Sequence, residues 1–234
     1  MESTKQKLPD GTEPGAAAGD LPKRRARVHT RAALIDAAED LFAEHGTPSA
    51  SIDEICTRAG FTRGAFYSNF RTVDDVFFAL YERKTEDLSH RMLNFGRSLA
   101  GAEESAQLRP GALEDFVDAL LDVIPADRQW YALRALYGLR GASDPELSQV
   151  LREHGDEFQR GFTALLTQVA RTVGEELLPT PQAAAQIVTA AHVGAVLQGS
   201  FVDEPASLRR NAVLAALRGV LSRSGSAPAR PRQE

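Results

Sequence analysis

Along most of the chain apolar positions recur at intervals of three and four and almost nowhere alternate, which predicts an all-α protein. Leu34, Ala37, Ala38, Leu41 and Phe42 form one such stripe. Thr30 is placed to cap its helix and Gly46 to end it. Ser51 can cap a short second helix stopping at Gly60, and Thr62 a third reaching about Phe70. A fourth starts near Val73 and continues to about Leu99, after which residues 101–110 read as a linker. Further on, Asp144-Pro145, Thr180-Pro181 and Glu204-Pro205 each set a capping position before a proline at the first helical position. About nine or ten helices follow from this punctuation. Residues 1–22 and 225–234 have no periodicity and read as disordered tails.

The segment SIDEICTRAGFTRGAFYSNF, Ser51–Phe70, holds the densest pattern. Ile52 and Ile55 face inward on its first helix, and the small Ala59 lets the next helix cross closely. Gly60 can take the positive φ that a tight turn needs, and Phe61 inserts from that turn into the core. On the next helix Phe66 and Phe70 share the buried face, while Arg63 and Tyr67 share another that is left free. Two short helices joined this way make a helix-turn-helix, with Thr62–Phe70 as the recognition helix. The expected division is a DNA-binding domain over 23–72 and a larger helical domain over 73–224. Arg63, in the first turn, can grip guanine O6 and N7 with two prongs. Gly64 removes a side chain where backbone approaches the groove, and the Tyr67 hydroxyl would meet a phosphate. The competing view has Tyr67 packed on the first helix and Arg63 merely solvated.

These residues resemble the tetracycline-repressor (TetR) family. The resemblance runs from Thr30 to about Leu80: Phe42 before His45-Gly46, the turn Ala59-Gly60-Phe61, then Thr62-Arg63-Gly64-Ala65-Phe66-Tyr67-Ser68-Asn69-Phe70. It implies that Ser51, Thr62, Ser68 and Asn69 hold phosphate, and that the partner is a double-stranded DNA operator. Family members commonly place Lys near the start of the fourth helix; here Val73 stands there, with Arg71 two residues earlier as the nearest substitute.

Charge changes the picture only when divided along the chain. The net charge is −5, which alone argues against a DNA partner. Residues 23–71 carry eight basic and six acidic residues, so that segment is +2 and the rest −7. Lys23, Arg24, Arg25, Arg27 and Arg31 form a basic arm with no acid among them, suited to polyphosphate; Arg27 and Thr30 join the expected DNA contacts. The lone Cys56 matches no zinc spacing and suits a reducing cytoplasm. The stretch from Ala183 to Phe201 is interrupted by Gln186, His192 and Gln198, so no membrane span is expected. No catalytic constellation, metal-ligand spacing or cofactor loop stands out among the five His and the acids. An enzyme is therefore not expected.

The later helices hold two further patterns. Ala183, Ile187, Ala190, Gly194, Leu197 and Phe201 repeat at four and three, a seam with small residues at its middle. Val188, Ala191 and Ala195 form a second face suited to the protomer's own core. The preceding helix carries Leu147, Leu151, His154, Phe158, Phe162, Leu165 and Val169. With the family resemblance, two helices per subunit imply a homodimer closed by a four-helix bundle, with Phe158, Phe162, Ile187, Ala190, Gly194, Leu197 and Phe201 in the interface. The alternative is a seam within one protomer. Between these helices and the fourth lie Leu88, Met92, Phe95, Phe116, Leu120, Trp130, Tyr131, Arg134 and Tyr137, read as the wall of a site for a small, largely apolar effector. Arg134 needs a partner: Asp118, Asp122 or an anionic ligand. The expected function is a repressor released by that effector. Its rival is a ligand-independent architectural or protein-partner module on the same fold, and a cavity of several hundred Å³ would separate the two.

Overall fold

The computed structural model describes residues 20–47, 49–102 and 111–223. Of the expected tails over 1–22 and 225–234, residues 20–22 instead open α1, and the rest, with most of the 101–110 linker and the side chains of Lys23, Arg24 and His154, lie outside the described residues. Nine α-helices follow one another among those described: α1 (Asp20–His45), α2 (Ile52–Ala59), α3 (Arg63–Tyr67), α4 (Val73–Ala102), α5 (Ala112–Val123), α6 (Arg128–Gly141), α7 (Pro145–Thr172), α8 (Pro181–Gln198) and α9 (Pro205–Val220).

Most of the expected punctuation is present. Ser51 closes a full capping box: its Oγ accepts from the Glu54 N–H at 3.2 Å, and Glu54 Oε2 accepts from the Ser51 N–H at 2.7 Å. Gly60 ends α2 at φ 72° and Gly46 follows α1 at φ 65°, positive values that glycine adopts without strain. Thr62, Asp144 and Thr180 each accept from backbone N–H groups at the starts of α3, α7 and α8. Glu204 precedes Pro205 without a side-chain cap bond.

Three expectations are corrected. Thr30 caps nothing. α1 runs unbroken from Asp20, and the Thr30 hydroxyl donates to the Ala26 carbonyl at 2.9 Å. A Thr satisfied by the carbonyl four residues back no longer competes with the helix. The recognition helix ends at Tyr67, three residues early. Ser68 Oγ and Asn69 Nδ2 donate to the carbonyls of Gly64 and Ala65, taking up acceptors at its end. Two unforeseen three-residue strands, β1 (Glu175–Leu177) and β2 (Leu221–Arg223), pair antiparallel and clip the end of α7 to the end of α9. Three residues are too few for alternation to be read.

The core falls into two clusters. One gathers the inner faces of α1–α3 and the start of α4 with Leu133 and Tyr137 of α6 and Leu147 of α7. The other gathers the later part of α4 with α5, α7, α8 and α9. Helix α6 therefore belongs in part to the first cluster, and this joins the two halves. Phe77 and Tyr137 are both fully buried and stack at 3.4 Å between centroids. Burying each such side chain contributes about 1.5–3 kcal/mol. The Tyr137 hydroxyl donates to Asp74 at 2.8 Å, and Arg140 grips both Asp74 oxygens at 3.0 and 2.8 Å. The Arg140 guanidinium, outweighing partial burial, holds the Asp74 carboxyl below its usual range.

Candidate DNA-reading surface and ligand cavity

Helix α3 is held from behind and bare in front. Phe66 and Phe70 are buried against α1, and Cys56 and Ile55 of α2 lie in the same cluster. Arg58 of α2 bonds both Glu44 oxygens of α1, at 2.6 and 2.7 Å, and fixes how the two helices cross. In front, Tyr67 is 53% exposed and Arg63 and Gly64 are open to solvent. Arg63 is not idle: its Nη1 lies 2.9 Å from both Asp53 oxygens and its Nη2 3.4 Å from the Tyr67 hydroxyl. The guanidinium is thus parked on the face that would enter a major groove. Beside it Arg27 donates to the Ser68 carbonyl at 3.2 Å, and Arg31 lies over the Phe70 ring at 5.1 Å. Arg27, Arg31, Ser68, Asn69 and Arg71 line one shallow basin at the end of α3. The basic stretch is therefore helical where described, and it flanks the recognition helix. Thr30 is off this surface in bonding terms, its hydroxyl committed to Ala26.

The second site is a cavity of about 370 Å³ among α4, α5, α6, α7, α8 and α9. Leu88, Leu120, Ile124, Phe158, Phe162 and Val188 supply much of its wall. Trp130 lies on one side with the Lys84 ammonium 5.4 Å above its ring. That ammonium bridges Glu39 of α1 at 2.7 Å and Asp127 at 3.0 Å. Burial works against its charge, but the two carboxylate bonds outweigh burial and raise its pKa. The other oxygen of Asp127 caps α6 by accepting from the Trp130 N–H at 2.9 Å. Deeper in, the Tyr131 hydroxyl lies 3.1 Å from His192 Nε2. Burial and the nearby Arg209 cation drive the His192 pKa down to about 4, so the imidazole is neutral near pH 7.

Comparison with known proteins bears on both regions. Residues 34–80 match the model of bacterial regulatory proteins, tetR family. Over 112 residues, 47% of this chain and 75% of the relative, the sequence is 34% identical to the HTH-type transcriptional regulator TtgW of Pseudomonas putida. The chain belongs to the TetR family. It is a helix-turn-helix transcription regulator. A longer match, 29% over 181 residues, covers 76% of the chain and 80% of the transcriptional repressor BepR of Brucella suis. Matches to curated relatives span from 34% to 80% of the relative's length. Among solved structures, a TetR-family transcriptional regulator from Mesorhizobium loti superposes with a TM-score of 0.61 at 18% identity, covering 82% of this chain and 95% of its own.

Set on the TetR fold, the expected site residues divide. Leu120, Trp130 and Arg134 line the cavity. Met92, Phe95, Phe116 and Tyr137 do not. The first three are packed into the second core cluster, where Phe95 stacks on Phe116. Tyr137 is locked in the junction by Phe77 and Asp74. Amphipathic spacing reports that a side chain is inside without distinguishing packed core from cavity wall. Phe158, half-buried, and Phe162 both line the cavity, and Phe162, 2% exposed within one protomer, has no surface left to offer a partner. Helix α7 instead exposes Gly161 and Ala164. On α8 the expected seam does face outward: Ile187 and Ala190 are exposed, Gly194 and Leu197 half-buried, and Phe201 beyond its end is 83% exposed. Val188 and Ala195 point inward, as their phase requires.

Asp118, one partner considered for Arg134, bonds Arg210 instead. Arg134 is exposed and lies 5.8 Å over the Tyr81 ring, with no carboxylate in ion-pair range among the described residues. Gln159 and His192 escaped notice as cavity residues. His192 carried a usable signal: it interrupts an apolar run in the same helical phase as Val188 and Ala195. Arg71 is exposed and Val73 packs against the first core, so Arg71 is the cation available near the start of α4.

Proposed function

We propose that the protein is a homodimeric repressor that holds a palindromic operator through α3 and lets go when a small, largely apolar molecule enters the cavity. The observation that carries the reading is the cavity's shared wall: Lys84 lines it and at the same time bonds Glu39 on α1, the helix that packs behind α3. A cavity of about 370 Å³ falls in the ordinary range for small-molecule sites, roughly 300–1,000 Å³. This favours the sensor over a ligand-independent module. In the bound state Arg63 would exchange Asp53 for a base edge, with Tyr67, Ser51, Thr62, Ser68, Asn69, Arg27 and Arg71 disposed toward phosphates. The outward apolar face of α8, with Gly161 and Ala164 of α7 beside it, supports pairing with a second copy across a twofold axis. No helix among the described residues is long and apolar enough to cross a membrane, in keeping with work on DNA in the cytoplasm.

An effector lowers operator affinity only as far as it prefers the conformer in which the two α3 helices are wrongly spaced. The test is fluorescence anisotropy of an operator duplex, selected from random DNA, titrated with protein in the presence and absence of candidate apolar molecules. Loss of binding that tracks quenching of Trp130 supports the reading. Operator binding indifferent to every molecule that quenches Trp130 refutes it.

A further inference from the structure

Two side chains that line this cavity each carry a buried polar atom without a partner, and the two atoms need opposite things. Gln159 Nε2 on α7 and His192 Nδ1 on α8 have no hydrogen-bond partner among the described residues. The amide nitrogen can only donate. The imidazole's role follows from its other nitrogen. The Tyr131 hydroxyl donates to the Pro125 carbonyl at 3.4 Å, so toward His192 Nε2, 3.1 Å away, it accepts. Nε2 therefore carries the ring proton. Because the ring is neutral near pH 7, Nδ1 is left with a bare lone pair and can only accept. His192 is 5% exposed, which shields that acceptor from bulk water.

Neighbouring polar groups on the wall are already matched. Lys84 holds Asp127 at 3.0 Å and Arg91 holds Asp87 at 2.8 Å. Thr189, also on α8, returns its hydroxyl to the Ala185 carbonyl at 2.8 Å. What stays open is one donor and one acceptor, on two helices packed against each other and set among Leu120, Phe162 and Val188. A ligand that covers either without answering it leaves a polar group unpaired, and that costs more than a typical bond returns. A carbonyl or an ether answers Gln159 alone, and an ammonium answers His192 alone. A hydroxyl answers both, because it donates one proton and accepts through its lone pairs.

We infer that the effector is an apolar alcohol or phenol, whose O–H donates to His192 Nδ1 and whose oxygen accepts from Gln159 Nε2. This rests on the cavity being the effector site. The hydroxyl fixes the ligand's inner end between α7 and α8, and its hydrocarbon lies along Leu88, Ile124 and Phe162.

The experiment compares two isomers, 1-octanol and heptyl methyl ether, which are alike in size and hydrophobicity and differ in that the ether has no proton to give. Each is titrated into the full-length protein, with the fluorescence of Trp130, the sole tryptophan, as readout and operator release followed in parallel. Octanol is expected to bind about tenfold more tightly, because the ether leaves His192 Nδ1 unmet. In His192→Leu that preference should shrink by at least about threefold. Gln159→Met removes a donor that serves both isomers, so it should weaken both by about threefold and leave the preference standing. It leaves the Tyr131–His192 contact in place, so with the wild-type comparison it decides the matter should His192→Leu fail to fold. The ether binding as tightly as octanol, a preference that survives His192→Leu, or a Gln159→Met variant that weakens neither isomer each overturns the inference. If both isomers release the operator with equal affinity, only this inference falls. If neither alters Trp130 or the operator complex, the sensor reading falls with it.

Discussion

Arg63 and His192 show how one side chain can carry a readable role. Arg63 waits on Asp53 and Tyr67, both exposed, so solvent screens the pair and little is lost when the guanidinium swings to a guanine. Arg63→Ala should therefore cost roughly 1–3 kcal/mol of discrimination at one base of each half-site. Tyr67→Phe should weaken all sequences alike. Competition binding against single-base variants of the site separates the two, and equal losses on specific and random DNA for Arg63→Ala would demote it to a phosphate contact. His192 makes a different prediction. Its folded pKa, about 4, lies below the ordinary 6.5, so between these values the unfolded chain binds a proton that the folded one refuses. Stability contributed by the neutral ring is full above pH 6.5 and is lost progressively as pH falls toward 4. The total is roughly 3 kcal/mol. Arg209 and Tyr131 face the ring, and neither titrates in that window. Melting curves from pH 7 to 4 should fall less steeply for His192→Leu than for the wild type.

Helices α8 and α4 divide the remaining tests. A Cβ at Gly194 would meet nothing within 4 Å in its own protomer, so Gly194→Leu should fold normally and disrupt only a partner helix. Sedimentation should show monomers of unchanged melting temperature at low concentration, and an intact dimer would move the interface off α8. On α4, Lys84→Met removes the tie between cavity and α1. The ratio of operator affinities without and with effector should shrink toward one; an unchanged ratio would show that coupling runs through the Phe77–Tyr137 junction alone. At this scale the sequence was readable where a side chain finishes a helix. Ser51, Thr62, Asp144 and Thr180 all cap as spacing predicts, because a cap is a local event within three residues. Thr30 misled because a helix that continues through a threonine looks, in sequence, like one that starts there. Phe162 misled because helical phase says which residues share a face, and not whether that face meets a cavity, a core or another subunit. Gln159 and His192 gained meaning only when folding set α7 against α8.

At the scale of the whole molecule, the two cores share α4 and α7, and α6 packs its Leu133 and Tyr137 into the first. That sharing is the route by which the proposed effector would act on the cluster that holds α1 against α3. The account stands on α3 reading DNA twice, once per subunit. The most direct test is selection of bound duplexes from a random pool by the full-length protein, followed by the same selection with Arg63→Ala. The wild type should enrich an inverted repeat whose half-site centres lie one helical turn or a multiple apart, and Arg63→Ala should lose preference at one symmetric pair of positions. Enrichment of no sequence, of a single unrepeated half-site, or of the same motif with undiminished preference in Arg63→Ala would contradict it.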